Sequence, residues 1–323
     1  MKNAMVTDLI STMKERIPKG HNLANTLMEI LCMGKEAIYR RLRGEVAFTF
    51  DEVALISQRL GISLDKIVGK QMLNETMFDL NLLHLPDPMD NYSEIATRYL
   101  KLFEYIRNDP SASVTTASNL IPYTFYSAYE NLSKFRLCRW IYQNEMIRTP
   151  HSLSQMEIPE KVEALHRRLS TAIRQAAQTC FIWDSGIFRS MVREIGYFAG
   201  LNLISETDVE NLQKELLLLL SELESVTMTG EFSKGHPLAI YLSDINFEAT
   251  YTYVEKEGFQ TCFFRVYSIN SMDSQHPKIC DIQKNWILSL KRHSTLISQS
   301  SEIQRMMFFN EQRRVVETML ETV

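Results

Sequence analysis

Apolar residues recur at helical spacing through the first seventy positions. Met5, Leu9, Ile10 and Met13 share one face over residues 4–16, and Pro18 and Gly20 mark a stop. A second helix is expected over 22–31, with Leu23, Leu27, Ile30 and Leu31 turned inward. Only Cys32, Met33 and Gly34 separate it from a third over 35–43, which Gly44 would cap. Thr49-Phe50-Asp51-Glu52 has the spacing of a capping box and opens a fourth helix to Leu60, closed by Gly61. Ser63 and Asp65 would start a fifth through Val68. The pattern is five short helices with one tight turn.

Beyond this head, residues 71–89 read as a linker, because Pro86-Asp87-Pro88 favours an extended chain. Ile95, Tyr99, Leu102, Phe103 and Ile106 predict a helix over 92–107, and the same periodicity predicts helices over 122–147, 159–179, 186–200 and 206–228. The texture changes at 238–242, 247–254 and 259–267, which are rich in β-branched and aromatic residues. Asn246 and Glu257-Gly258 supply turns, so these runs predict a three-strand antiparallel meander. Helices are expected again near 278–292 and 301–321. The expected fold class is mainly α: a five-helix head over 1–70, a linker over 71–89, and a mostly helical body over 90–323 with a small antiparallel β-meander near 238–267.

Composition narrows the classes. Gly (11) and Pro (9) are sparse, as a helical chain would have them. The five cysteines are odd in number and none lies at C-x-x-C spacing, which argues against a disulfide framework or zinc knuckle and for a reducing compartment. Charges interrupt the first 20 residues, and the longest apolar run, 216–220, is far too short for a bilayer. A cytoplasmic protein without a membrane partner is expected. Net charge is −4, but residues 1–70 carry 11 Lys/Arg against 8 Asp/Glu, or +3, and the remainder carries −7. A basic head on an acidic body suits a chain of which only the head meets a polyanion.

The head's motifs are specific. Leu27-Met28-Glu29-Ile30-Leu31-Cys32-Met33-Gly34-Lys35-Glu36-Ala37-Ile38, followed by Gly44, resembles the helix-turn-helix of Cro/phage-repressor-like (Xre-type) transcriptional regulators. So does the later run Val53-Ala54-Leu55-Ile56-Ser57-Gln58-Arg59-Leu60-Gly61-Ile62-Ser63-Leu64-Asp65-Lys66-Ile67. The resemblance covers about residues 5–69 and implies a DNA-binding domain. Cys32 stands where the family usually has Gly, Arg41 where it has an apolar residue, and Ala24 where it has a phosphate-binding Gln.

Helical geometry marks the same face independently. With Ile38 turned to the core, Leu42 lies beside it, while Glu36, Tyr39, Arg40 and Arg43 cluster opposite. Arginine can grip guanine O6 and N7 or a phosphate, and Glu36 can accept from a cytosine amine. Lys35 lies where the family makes base contacts. Asn25 and Thr26 substitute for the missing phosphate contact. Double-stranded DNA is therefore the expected partner, with no cofactor and no metal.

The body offers no catalytic set. None of the seven histidines lies three or four residues from another. Residues 230–236 resemble a phosphate loop but lack the Gly-Lys-Ser/Thr ending and read as a surface turn. Asp184 or Ser185 would cap the following helix. The body reads as an oligomerisation and sensor domain, and the chain's Met- and aromatic-rich content (16 Met, 16 Phe and 13 Tyr in all) either forms the core or lines a small-molecule effector pocket. Leu212, Leu216, Leu219 and Leu223, within the 3-4 rhythm of a seam, are the candidate homodimer interface; a helix buried within one subunit is the alternative. Two other functions compete: a protein-interaction module without DNA binding, and an enzyme with a DNA-binding appendage.

Overall fold

The computed structural model describes residues 2–17, 22–62, 64, 67, 78–80, 87–144, 152–267 and 269–321. The chain divides into two compact units, 1–77 and 78–323.

The first unit holds α1 (Lys2–Arg16), α2 (Leu23–Leu31), α3 (Lys35–Leu42) and α4 (Phe50–Leu60). Asn22 starts α2, its side chain accepting from the Ala24 N–H. The capping box of α4 is complete: Thr49 Oγ1 accepts from the Glu52 N–H, and the Glu52 carboxylate accepts from the Thr49 N–H. Leu9, Met13, Ala24, Leu27, Ile38, Ile56, Ile62 and Ile67 close the core, while Met5 is exposed. The stop at Pro18 and Gly20, and most of the fifth helix expected over 63–68, lie outside the described residues.

The second unit overturns the expected fold class. Its strands are β1 (Asp79–Leu80), β2 (Ser113–Ser118), β3 (Gln178–Asp184), β4 (Glu231–Ser233), β5 (His236–Ser243), β6 (Tyr251–Lys256), β7 (Phe259–Tyr267), β8 (Asn270–Ser274) and β9 (Ser294–Leu296). They form one nine-stranded mixed sheet in the order β1-β8-β7-β6-β2-β3-β5-β4, with β9 also on β5. β2, β3 and β5 are parallel neighbours, and β6, β7, β8 and β1 continue antiparallel from β2. The body is thus an α/β fold. It is not a mostly helical domain with a small meander near 238–267, because β5 pairs with β3, β4 and β9 rather than β6.

Burial on both faces explains the strands that periodicity misses. α5 (Pro88–Ile106), α6 (Tyr123–Tyr126), α7 (Glu130–Asn144), α8 (Glu160–Arg174), α9 (Ile187–Gly200), α10 (Glu206–Thr229) and α12 (Glu302–Glu317) contribute to the core on one face. There they meet Val114, Phe181, Trp183, Leu238, Ile240 and Val254. α11 (Pro277–Arg292) covers the other face, packing Ile279, Cys280, Ile287 and Leu290 against Ala117, Ile182, Tyr253 and Cys262. A strand covered on both sides has no polar alternation to detect. The connections β2 to β3 and β3 to β5 run through helices, as parallel neighbours require.

Three local expectations are also corrected. Within 71–89, Asp79 and Leu80 pair with β8, and Asp87 caps α5 through the Met89 N–H. Gly186, not Asp184 or Ser185, is the N-cap of α9; the Asp184 carboxylate instead accepts from the Gly186 N–H. Leu212, Leu216, Leu219 and Leu223 are 0–1% exposed within the single chain, so they are core and leave no seam for a partner. Among the described residues, no helix is long and apolar enough to cross a membrane.

Candidate nucleic-acid interface and ligand pocket

The turn between α2 and α3 is made by Cys32, Met33 and Gly34. Cys32 sits in the left-handed region (φ 52, ψ 42) and donates its N–H to the Met28 carbonyl, the conformation that glycine adopts without steric cost. Gly34 then caps α3. Ile38 is fully buried beneath the helix, which leaves Lys35, Glu36, Arg40 and Arg43 exposed and Tyr39 half-buried. The Lys35 ammonium lies 6.0 Å from the Tyr39 ring centre. Asn25 is exposed in the first turn of α2, where backbone N–H groups favour phosphate. Thr26 is half-buried and spends its hydroxyl on the Asn22 carbonyl at 3.3 Å.

Two acids share this face. Arg43 donates to Glu45 at 2.6 Å and to Glu36 at 3.2 Å, and Arg40 lies 3.6 Å from Glu45. The hydrogen bond from Arg43 holds the Glu45 carboxyl below its usual pKa. The face therefore has only one surplus positive charge among Lys35, Glu36, Arg40, Arg43 and Glu45.

Arg41, the departure from the family pattern, points the other way. Its Nε and Nη2 donate to the two Glu52 oxygens at 2.9 and 2.7 Å, and Nη1 reaches the Ala37 carbonyl at 3.3 Å. The planar guanidinium matches the carboxylate in a two-point grip. Glu52 also belongs to the capping box, so this pair ties α3 to the start of α4 and fixes the angle at which α3 is presented.

The body contains a cavity of about 300 Å³. It opens at the carboxyl end of β2, where the sheet changes from parallel to antiparallel; ligands of open α/β sheets gather outside carboxyl ends of strands. Its wall is mostly apolar, with a cationic cluster of Arg136 and Arg139 from α7 and Arg265 from β7. Arg139 is ion-paired with Glu194 of α9. Arg136 is 5% exposed, stacks 4.1 Å from the Tyr123 ring centre and donates to the Tyr126 hydroxyl at 3.2 Å. Among the described residues no carboxylate pairs with it, and its Nε has no partner. Burial, then the Arg136 charge, pulls the Arg265 pKa down.

A phenol–imidazole chain backs this cluster. The Tyr92 hydroxyl donates to the Tyr123 hydroxyl at 2.7 Å and lies 2.8 Å from His166 Nε2. Burial, reinforced by the Arg136 and Arg167 charges, lowers the His166 pKa to about 4, so the imidazole is neutral at physiological pH. The Tyr99 hydroxyl, also at the cavity, is buried without a partner among the described residues. No three His, Cys, Asp or Glu side chains among the described residues come together as a metal would require.

Sequence periodicity misses this pocket because its polar groups come from α5, α7, α9 and β7. One signal was available: Arg136 and Arg139 interrupt Phe135, Leu137, Cys138 and Trp140, all of which are buried. No protein-family model, no curated protein and no solved structure matches the chain.

Proposed function

We propose that the chain is a sequence-specific transcriptional regulator that reads double-stranded DNA with α3. The observation that carries this reading is the short turn from α2 into α3, with exposed Lys35, Arg40 and Arg43 opposite buried Ile38. It agrees with the resemblance of residues 5–69 to Cro/phage-repressor-like regulators. In this reading Arg40 reads a base edge, Lys35, Glu36 and Tyr39 flank it, and Arg43 and Asn25 hold phosphates, Thr26 joining them only if its hydroxyl turns from the Asn22 carbonyl. One head whose α3 face carries a single surplus charge binds weakly, so two heads act together, about 34 Å apart on one face of the duplex. The row Ile303, Met306 and Met307 on α12, at 70%, 52% and 67% exposure, offers the second copy an apolar surface.

A salt titration of DNA retention tests the roles. Arg40→Ala should cost about 1–3 kcal/mol and relax preference at one position. Arg43→Ala should weaken all sequences alike and flatten the salt slope. If neither variant changes affinity or preference, α3 does not read DNA.

A second reading, a protein-docking head, is favoured by the acids that neutralise the face and by Phe50, 79% exposed at the start of α4. Under it, DNA retention would be absent even at low salt.

A further inference from the structure

The cavity in the body has features that a packed core would not keep. Among the described residues, the buried Arg136 cation meets phenols and no carboxylate. Its Nε, the Arg139 Nε and the Tyr99 hydroxyl are, among the same residues, buried donors without acceptors, and Arg136, Arg139 and Tyr99 line the same space. Buried donors are ordinarily satisfied, and a buried charge is ordinarily paired or replaced by an apolar residue. A site that holds three unused donors, one of them on an unneutralised guanidinium, is built for an acceptor that carries negative charge.

We propose that this pocket binds a small organic monocarboxylate, its carboxylate on Arg136 and its apolar body against Phe103, Ile173, Phe181 and Met191. The lining sets the charge of the ligand: Arg136, Arg139 and Arg265 face Glu194 and Glu248, one surplus positive charge. A dianionic phosphate would overshoot that balance. The lining also sets size and shape, because about 300 Å³ lies at the small end of ligand sites and the wall is mostly apolar. Tyr99 supplies a neutral donor, and Tyr123, which accepts from Tyr92, keeps its own proton to donate.

That such a ligand would tune DNA binding rests on the regulator reading; that it binds does not. Thermal unfolding of the full-length chain, with no DNA present, therefore tests the site even if DNA retention fails. The probes are phenylacetate and isovalerate, their neutral amides phenylacetamide and isovaleramide, and inorganic phosphate. At least one acid should raise the unfolding temperature saturably, whereas its amide and phosphate should not. Arg136→Met should remove that shift and, without ligand, unfold at or above the wild-type temperature. Should Arg136→Met fail to fold, Tyr99→Phe decides, since it removes a hydroxyl with no partner among the described residues. It should keep the fold and weaken the acid's binding several-fold. The proposal falls if no acid shifts the protein, if amides or phosphate act as well as acids, if folded Arg136→Met keeps the shift, or if Tyr99→Phe binds the acid undiminished.

Discussion

Acidification should weaken the body, and His166 carries a separable share of that loss. The imidazole is 3% exposed on α8, with the Tyr92 and Tyr123 rings edge-on at 5.5 and 5.4 Å. Because the Tyr92 hydroxyl gives its proton to Tyr123, its 2.8 Å contact with Nε2 uses the imidazole N–H. Burial first, then the Arg136 and Arg167 charges, takes the folded pKa from 6.5 to about 4. Between those values the unfolded chain holds a proton that the folded chain does not. Stability from this group is complete above pH 6.5 and is lost as pH falls toward 4, with no further loss below. The slope is at most about 1.4 kcal/mol per pH unit, which accumulates to about 3 kcal/mol across the window.

Urea midpoints read by tryptophan fluorescence measure this, since Trp140, Trp183 and Trp286 all belong to the body. His166→Gln keeps a donor for Tyr92 and cannot titrate, so the difference between variant and wild type isolates the histidine from the carboxylates. The gap in stability should grow by about 3 kcal/mol between pH 6.5 and pH 4. Parallel pH dependences of the two proteins would refute the reasoning. Arg136→Met should reduce the stability lost by the wild type across this window, because it removes the larger of the two cationic charges that oppose protonation.

Three further outcomes are expected. Cys32→Gly should stabilise the head by about 1 kcal/mol by relieving the left-handed backbone, while Cys32→Ala should not. Hydrogen exchange of α2 and α3 amides reads this as roughly fivefold slower exchange, and equal rates in the two variants would contradict it. Glu45→Gln should free Arg43 for phosphate and steepen the log–log salt slope of DNA binding by about 0.9; an unchanged slope would count against DNA contact by this face. Leu216→Ala should cost about 2–5 kcal/mol of stability and leave the sedimentation behaviour of the folded protein unchanged, as a core residue would.

What the sequence disclosed followed the range of the forces involved. Caps are local, so the Thr49–Glu52 box and the Gly61 stop were legible in four-residue windows. The amphipathic helices α5, α8, α9 and α10 were legible to within a few residues for the same reason, each having one solvated face. Strand β2, Ser113–Ser118, carries serine and threonine at four of six positions and offers no apolar run. Strand β3, Gln178–Asp184, has its apolar residues in one block because helices cover both faces of the sheet. Its first residues were absorbed into the preceding helical period. The seam on α10 failed for a related reason: a 3-4 repeat reports an apolar stripe, and only the fold decides whether the stripe meets its own core or another chain.

Arginine shows where the reading of sites must stop. The sequence places Arg40, Arg41 and Arg43 within one helical turn, and spacing alone distinguishes inward from outward. It cannot show that Arg41 finds Glu52, eleven residues on, or that Glu45 bridges Arg40 and Arg43. Those partners decide function, because a guanidinium held by a carboxylate at both ends of its fork is structural, and one shared among exposed acids can exchange them for phosphate. Arg136 and Arg139 extend the same logic to the body. They sit three residues apart on α7, yet Glu194 answers only Arg139. The chemistry proposed for the pocket therefore rests on a carboxylate that Arg136 lacks among the described residues, which is a property of the packed fold and of no segment in the chain.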